Sequence, residues 1–509
     1  MREGSLLWDC PADVRWWLFG RPPLLVVDIM CGVLATAEIA DRLSDGAAAV
    51  LSRAPGPLAE IEDWLLLASA RELLRIDRTA RFWRHRDALR TASFWEGGTL
   101  CTSGHLGAAL ASMHGNGRVR EAAVGILTRT DAPLADRMLA VRLTDHVWPV
   151  RDAATRAVLR RTSLTRADQI VPVLYLIEGR TRGAEVLPLY LHALAGVHGE
   201  AALWSRLRGS TTPAVRRMAF RHSLTNELLS VSDAVAALPR EHDRIVQSLL
   251  AHAIADRAAP DVVASALLSD RSAESRVLGL VRLTADLLDA ADVERLLVDP
   301  GVLVRLWARQ RCEEQGRNAL SVYQDAARGS GSAAVRARAY RGLVEAGGAV
   351  DREVALDLVR STEPPLKKAG LRLLTGRVAP ADTPLLFETL QTGTNRVARL
   401  ASEVLLEIPA AWSDADLLPL ASSPDPDLRC RAWWLKRNRS GWDQTIADLA
   451  ILLDHDPVLA ALGRNMTLPQ FAQPTELQRD QLITLLPQVW PETWRTSRVA
   501  FAAGLRGEA

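Results

Sequence analysis

Apolar and polar residues follow a helical period along most of this chain, and the helical blocks themselves recur. One phrase marks the recurrence: an apolar residue, then Arg, then a small residue three positions after the Arg. It reads GRVREAAVGIL around Arg120 and DHVWPVRDAATRAVL around Arg151. It returns as TPAVRRMAF around Arg216, DRSAESRVLGL around Arg276 and DPGVLVRLWA around Arg305. Later copies are SAAVRARAY around Arg336, EPPLKKAGL around Lys367 and PDPDLRCRAWW around Arg429. The step from 120 to 151 is 31 residues, as are the steps 305 to 336 and 336 to 367. The frame then lands on Ala398, which lacks the basic residue but keeps Val397 and Ala401 in the apolar positions, and next on Arg429. Between 151 and 305 it is looser, near 182, 216, 246 and 276. A fixed period of this length marks a repeat array, whose core grows along one axis.

Each period predicts two helices. In the unit from 288, DAADVERLLVD is a short amphipathic stretch, and Asp299-Pro300-Gly301 breaks it. VLVRLWARQRCEEQG then forms a second helix ending at Gly316. Proline falls in this turn or just after it at Pro213, Pro300, Pro364, Pro365 and Pro426, where its missing N–H costs nothing. Asp, Ser or Thr before it can accept the free N–H groups of the first helical turn. Val304 and Ala308 lie four apart, as do Val335 and Ala339, so each pair shares one helix face. No single unit can bury that face alone, and stacking does so.

The phrase L-x-D-P-x-x-x-V-R-x-x-A resembles the signature of HEAT repeats, particularly the short bacterial kind also found in phycobilin lyases. Its Asp, six residues before the Arg, is present as Asp145 with Arg151, Asp270 with Arg276, Asp299 with Arg305 and Asp9 with Arg15. Elsewhere the position holds Ser210, Ser330, Ser361 or Ser423, which keeps a cap and loses the charge. The resemblance implies an all-α fold, a right-handed α-solenoid of stacked antiparallel helix pairs in which these side chains form a ladder between neighbouring repeats. It covers residues 102–441 as about eleven units. Residues 1–101 are then expected to be degenerate N-terminal repeats or a cap, and 442–509 a C-terminal helical cap.

Composition adds little to this and removes several functions. Of 509 residues, 48% are apolar and 24% charged, and the net charge is +2, so whole-chain charge selects no partner. The most apolar early run, at 24–37, is short for a membrane span and carries Asp28, so no membrane insertion is expected. Five widely separated cysteines form no CxxC pair and suit a reduced, cytoplasmic setting. No HExxH, Cys/His cluster, GxGxxG, P-loop or GxSxG motif occurs. No catalytic, cofactor-binding or metal-ligating residue is therefore assigned.

Charge is more informative within the repeats. From 288 to 441 the first-helix segments are net acidic and the second-helix segments net basic. The surplus survives removal of the signature residues Arg305, Arg336, Lys367 and Arg429. In HEAT proteins the second helix lines the concave face, so the resemblance implies a basic groove. Candidate groove residues are Arg309, Arg338, Arg341, Lys368, Arg372, Arg431, Trp434 and Arg437. Trp433 and Trp434 cannot both be buried on one helix. Trp16, Trp17 and Trp83 lie in comparable basic-aromatic stretches. The expectation is a non-catalytic scaffold holding an acidic protein or peptide. The alternatives are a nucleic-acid binder resembling HEAT-like alkylpurine DNA glycosylases and a lyase-like accessory factor.

Overall fold

The computed structural model describes single positions between Ile39 and Val50, and then residues 55–82, 98–179, 183–439, 441–469, 472–491 and 494–505. Asp9, Arg15, Trp16, Trp17, Trp83 and the frame position near 182 lie outside them. The described chain is an all-helical repeat stack, the α-solenoid expected from the pattern, and it divides into two compact units, Pro23–Arg282 and one that carries Leu283–Ala509.

In the first unit α1 (Pro55–Leu67), α2 (Ala70–Phe82) and α3 (Gly98–Thr102) precede the regular pairs. These are α4 (Gly104–Ala111) with α5 (Gly117–Arg129), α6 (Pro133–Arg142) with α7 (Trp148–Leu159), and α8 (Leu164–Ile177) with α9 (Val186–His198). Next come α10 (Glu200–Arg208) with α11 (Pro213–Thr225), α12 (Val231–Ala237) with α13 (Arg244–Arg257), and α14 (Pro260–Leu267) with α15 (Ala273–Arg282). The second unit pairs α16 (Ala290–Leu297) with α17 (Val302–Glu314), α18 (Ala319–Arg328) with α19 (Ala333–Glu345), and α20 (Arg352–Arg360) with α21 (Pro364–Leu374). It continues with α22 (Thr383–Thr392) and α23 (Asn395–Leu405), α24 (Asp414–Ala421) and α25 (Pro426–Arg437), and α26 (Trp442–Leu452) and α27 (Pro457–Leu462). Two further helices follow, α28 (Glu476–Val489) and α29 (Trp494–Ala502). Even-numbered members from α4 to α26 are thus first helices and odd-numbered members second helices. The pairing carries one repeat beyond residue 441, with the frame falling on Ala460.

The small residue of the phrase sits where helices touch. Ala123, Ala154, Ala219, Ala308, Ala339 and Ala401 are fully buried. At Gly370 a Cβ would lie 2.6 Å from the Ala355 carbonyl oxygen of α20, which is closer than any side chain allows. The apolar position before the Arg is buried with it, as at Val150, Val215, Val304 and Val397.

The signature Arg works differently from a simple pair with the Asp six residues earlier. Its Nη1 donates to the backbone carbonyl of that residue: Arg151 to Asp145 at 2.6 Å, Arg276 to Asp270 at 2.6 Å and Arg305 to Asp299 at 2.6 Å. Arg120, Arg216 and Arg429 repeat the bond to His114, Ser210 and Ser423, each at 2.9 Å. In the copy expected near 246, Gln247 does the same to Glu241 at 2.7 Å, while Val246 is core. The Asp side chain instead accepts the N–H two residues on, as Asp145 does from Val147, Asp270 from Ser272 and Asp299 from Gly301. In three copies the rest of the guanidinium reaches a carboxylate 25 residues onward, in the next turn. Arg120 grips both oxygens of Asp145 at 2.8 Å, and Arg429 grips Asp454 at 2.8 and 3.0 Å. Arg216 meets Glu241 more loosely, at 3.3 and 3.4 Å. Arg305 departs from this spacing and takes Glu345, at the end of α19.

Near the start of the first unit the same device gathers a buried network. Asp145 receives Arg120, Arg142 and, at 3.1 Å, Arg81 of α2, while Asp77 receives Arg142 and Arg81. Burial alone would raise the Asp145 carboxyl, but the Arg120 hydrogen bonds, the Val147 N–H and the neighbouring guanidinium groups hold it at about 2. Arg120→Ala removes the closest of these partners from a fully buried carboxylate and should cost about 3 kcal/mol in denaturant unfolding. Because the folded pKa lies below the ordinary 3.8, this stabilisation is complete above about pH 4 and is lost as pH falls through about 2. Unfolding curves taken stepwise through that range should converge with those of Asp145→Asn at the acid end.

Candidate partner-binding face

No group of His, Cys, Asp and Glu among the described residues could hold a metal ion. Cys101, Cys312 and Cys430 are buried free thiols. Burial pushes all three thiols up, Cys430 to about 12, so none is a ready thiolate nucleophile. In the first unit, an open cleft of about 1350 Å³ runs between the α1–α2 turn, α8, α10 and α11. Its charges are largely spent: Arg206 pairs with Asp168, Arg217 with Asp243, and Arg137 holds the Leu66 and Ala68 carbonyls. No described helix is long and apolar enough to cross a membrane.

The basic residues expected to form one groove separate into two groups. Arg309, Arg431 and Arg437 hold the fold. Arg309 is 12% exposed and meets Glu345 at 3.4 Å. Arg431 spans from α25 to Asn395 Oδ1 at 2.9 Å and the Leu390 carbonyl at 3.4 Å. Arg437 donates to Asp448 of α26 at 2.9 Å and lies 5.5 Å over the Trp433 ring. The Trp433 indole N–H donates to the same carboxylate oxygen at 3.0 Å. Even so, burial pushes the Asp448 carboxyl up to about 6 against the pull of Arg437, with Oδ2 left without a partner. Trp433 is core and Trp434 half-buried between two clusters, as their 100° separation on a helix requires.

The second group is uncommitted. Arg341 and Lys368 are half-buried and Arg372 is exposed. None of them makes a hydrogen bond or ion pair among the described residues. Arg341 and Arg372 occupy equivalent repeat positions, five residues after Arg336 and Lys367. Arg338 is nearby, with one weak bond to the Val298 carbonyl at 3.4 Å. Arg396, exposed in the first turn of α23, completes the group. It is counted in the second-helix charge but is not named from the sequence as a groove residue, because its repeat has Ala398 at the signature position, although TNRVARLAS shows it two residues earlier. The helices bring these cations together, since α19 packs on α21 and α21 on α23. Burial, then Arg396, Arg372 and Arg341, push the Lys368 ammonium down. Burial and then Arg372 lower Arg341 likewise.

Acidic residues are scarce around these cations. In these three repeats the turn position that holds Asp at 145, 270 and 299 is Ser330, Ser361 and Thr392, as it is Ser210 and Ser423 in two others. Ser361 keeps the turn by accepting the Glu363 N–H at 3.2 Å but supplies no charge. Glu345 and Glu403, the carboxylates carried by the three second helices, are taken by Arg305 and Arg309 and by Arg399.

No protein-family model and no curated protein matches this chain. Among solved structures it is similar to a chain from the structural basis of tubulin recruitment and assembly by microtubule polymerases with tumor overexpressed gene (TOG) domain arrays. That likeness has 10% identity and a TM-score of 0.19 over 78% of this chain and 99% of the other. A second likeness, to an engineered protein, has 16% identity and a TM-score of 0.15 over 73% and 95%. At these TM-scores neither likeness bears on what the chain does.

The division into committed and free cations is open to measurement. Arg372→Gln and Arg341→Gln should leave unfolding free energy within about 0.5 kcal/mol of wild type, as for ordinary surface changes. Arg437→Ala should cost about 3 kcal/mol at pH 8, because it strips a buried carboxylate of its charged partner.

Proposed function

We propose that this chain is a non-catalytic helical-repeat scaffold of HEAT type that binds an acidic segment of a protein partner on the second helices α19, α21 and α23. The supporting observation is the group of uncommitted cations there, Arg341, Lys368, Arg372 and Arg396, in a chain whose other second-helix arginines are largely bound to its own acceptors. Unneutralised like charges on adjacent helices raise the free energy of the unliganded protein, and an anionic partner relieves that cost while steering its own approach. The buried free thiols suit the reducing cytoplasm.

Nucleic acid is the competing ligand, because phosphates would satisfy the same cations. The favoured reading is protein because the free cations form a compact group. On either side of it Arg309 and Arg431 are held internally, so no free basic track continues across α17 and α25 for a duplex backbone to follow.

Affinity capture from cells producing the protein, using wild type beside an Arg341→Glu, Arg372→Glu, Arg396→Glu variant with an unchanged circular dichroism spectrum, decides between them. Wild type should retain a protein that the variant loses and that moderate salt elutes. Salt-sensitive binding to duplex DNA with no protein differentially retained would overturn the scaffold reading.

A further inference from the structure

The arrangement of the free cations carries more than their sign. Arg338 and Arg341 are three apart on α19, and Lys368 and Arg372 four apart on α21, so each pair shares one side of its helix. Arg396 approaches from the first turn of α23. Second helices in contact lie roughly 8–10 Å apart, within the reach of extended Arg and Lys side chains. The group is therefore compact, drawn from three helices, and free of carboxylates on those helices that are not already engaged. The central amine, Lys368, is half-buried.

A single carboxylate is a poor match for such a point. It brings one charge and two oxygens, and leaves most of the donors without acceptors. A phosphate monoester brings about −1.5 to −2 charges and three strong acceptor oxygens. Guanidinium forks engage phosphate oxygens two at a time, while a Lys ammonium acts as a point charge beside them. Three arginines around one lysine supply both kinds of donor.

We propose that this cluster is a receptor for a phosphorylated side chain on a partner protein, with Arg341, Lys368, Arg372 and Arg396 as the anion-binding residues. The proposal rests on the scaffold reading and narrows it from an acidic segment to a phosphorylated one. Burial first, and then their cationic neighbours, push Lys368 and Arg341 down, the latter against the pull of Glu345, which agrees with a site whose charge is balanced when an anion is bound.

The test uses the full chain and three pools of short degenerate peptides, read by fluorescence anisotropy. One pool has a fixed phosphoserine, one has Glu-Glu in its place to match the charge, and one has Ser. Phosphoserine peptides should bind about tenfold tighter than the Glu-Glu pool, the scale of one added charge-assisted hydrogen bond. Lys368→Gln and Arg396→Gln should each erase that difference while the thermal transition stays in place. Should either variant shift the transition, inorganic phosphate added to wild type provides a second readout: it should displace the phosphoserine pool at a concentration at which acetate of the same ionic strength does not, and equal displacement by the two would count against phosphate recognition. Equal affinity for the phosphoserine and Glu-Glu pools, both above Ser, would overturn phosphate recognition and leave the acidic-segment scaffold standing. No binding of any pool would count against both. Displacement of the phosphoserine pool by duplex DNA at lower concentration than by the free phosphopeptide would reassign the cluster to nucleic acid.

Discussion

A guanidinium group held in the turn of those repeats that carry the signature Arg is the constraint on which the rest depends. Arg120 and Arg305 are almost fully excluded from solvent, and Arg429 nearly so. A buried charge of this kind survives only if its N–H groups all find acceptors. For Arg120, Arg216 and Arg429 the chain provides them in a fixed order: the carbonyls five and six residues before, which close the turn of the same repeat, and a carboxylate 25 residues after, in the turn of the next; Arg305 keeps the two carbonyls and takes Glu345 instead. One side chain therefore fixes the entry angle of its own second helix and the register of its neighbour. The Ala or Gly three residues on follows from the same requirement, because the helices must approach closely enough for the guanidinium to span from turn to turn.

The uncommitted cations lie where this device fails. At Lys367 and Ala398 the signature guanidinium is absent, and across three successive turns the acid has become Ser330, Ser361 and Thr392. Stability there falls to apolar burial, as in the cluster of Leu371, Leu386, Val397 and Leu405, and to close contacts such as Gly370 against α20. Glu345 and Glu403, the carboxylates of α19, α21 and α23, are engaged by Arg305, Arg309 and Arg399, so Lys368, Arg372 and Arg396 are left with charge to spare.

Much of this is legible in the sequence. Period, helix pairing, the buried small residue and the apolar residue before the Arg all follow from local spacing, since the 3.6-residue period ties sequence position to helix face. What each long cationic side chain does is not. Arg309, Arg341 and Arg437 look alike in a charge tally, yet the first meets Glu345, the last meets Asp448, and only Arg341 is free. An Arg side chain reaches far enough to choose among acceptors in its own turn, the next repeat or solvent. Glu345, 40 residues from Arg305, could not be singled out by any periodic rule.

The sequence by itself therefore determined the repeat, its two helices and the residues at its junctions, because these depend on interactions within one turn or one period. Tertiary structure decided which acceptor each arginine takes, and hence which cations remain unpaired. That outcome depends on the distances between helices far apart in the chain, and spacing along the sequence does not encode them.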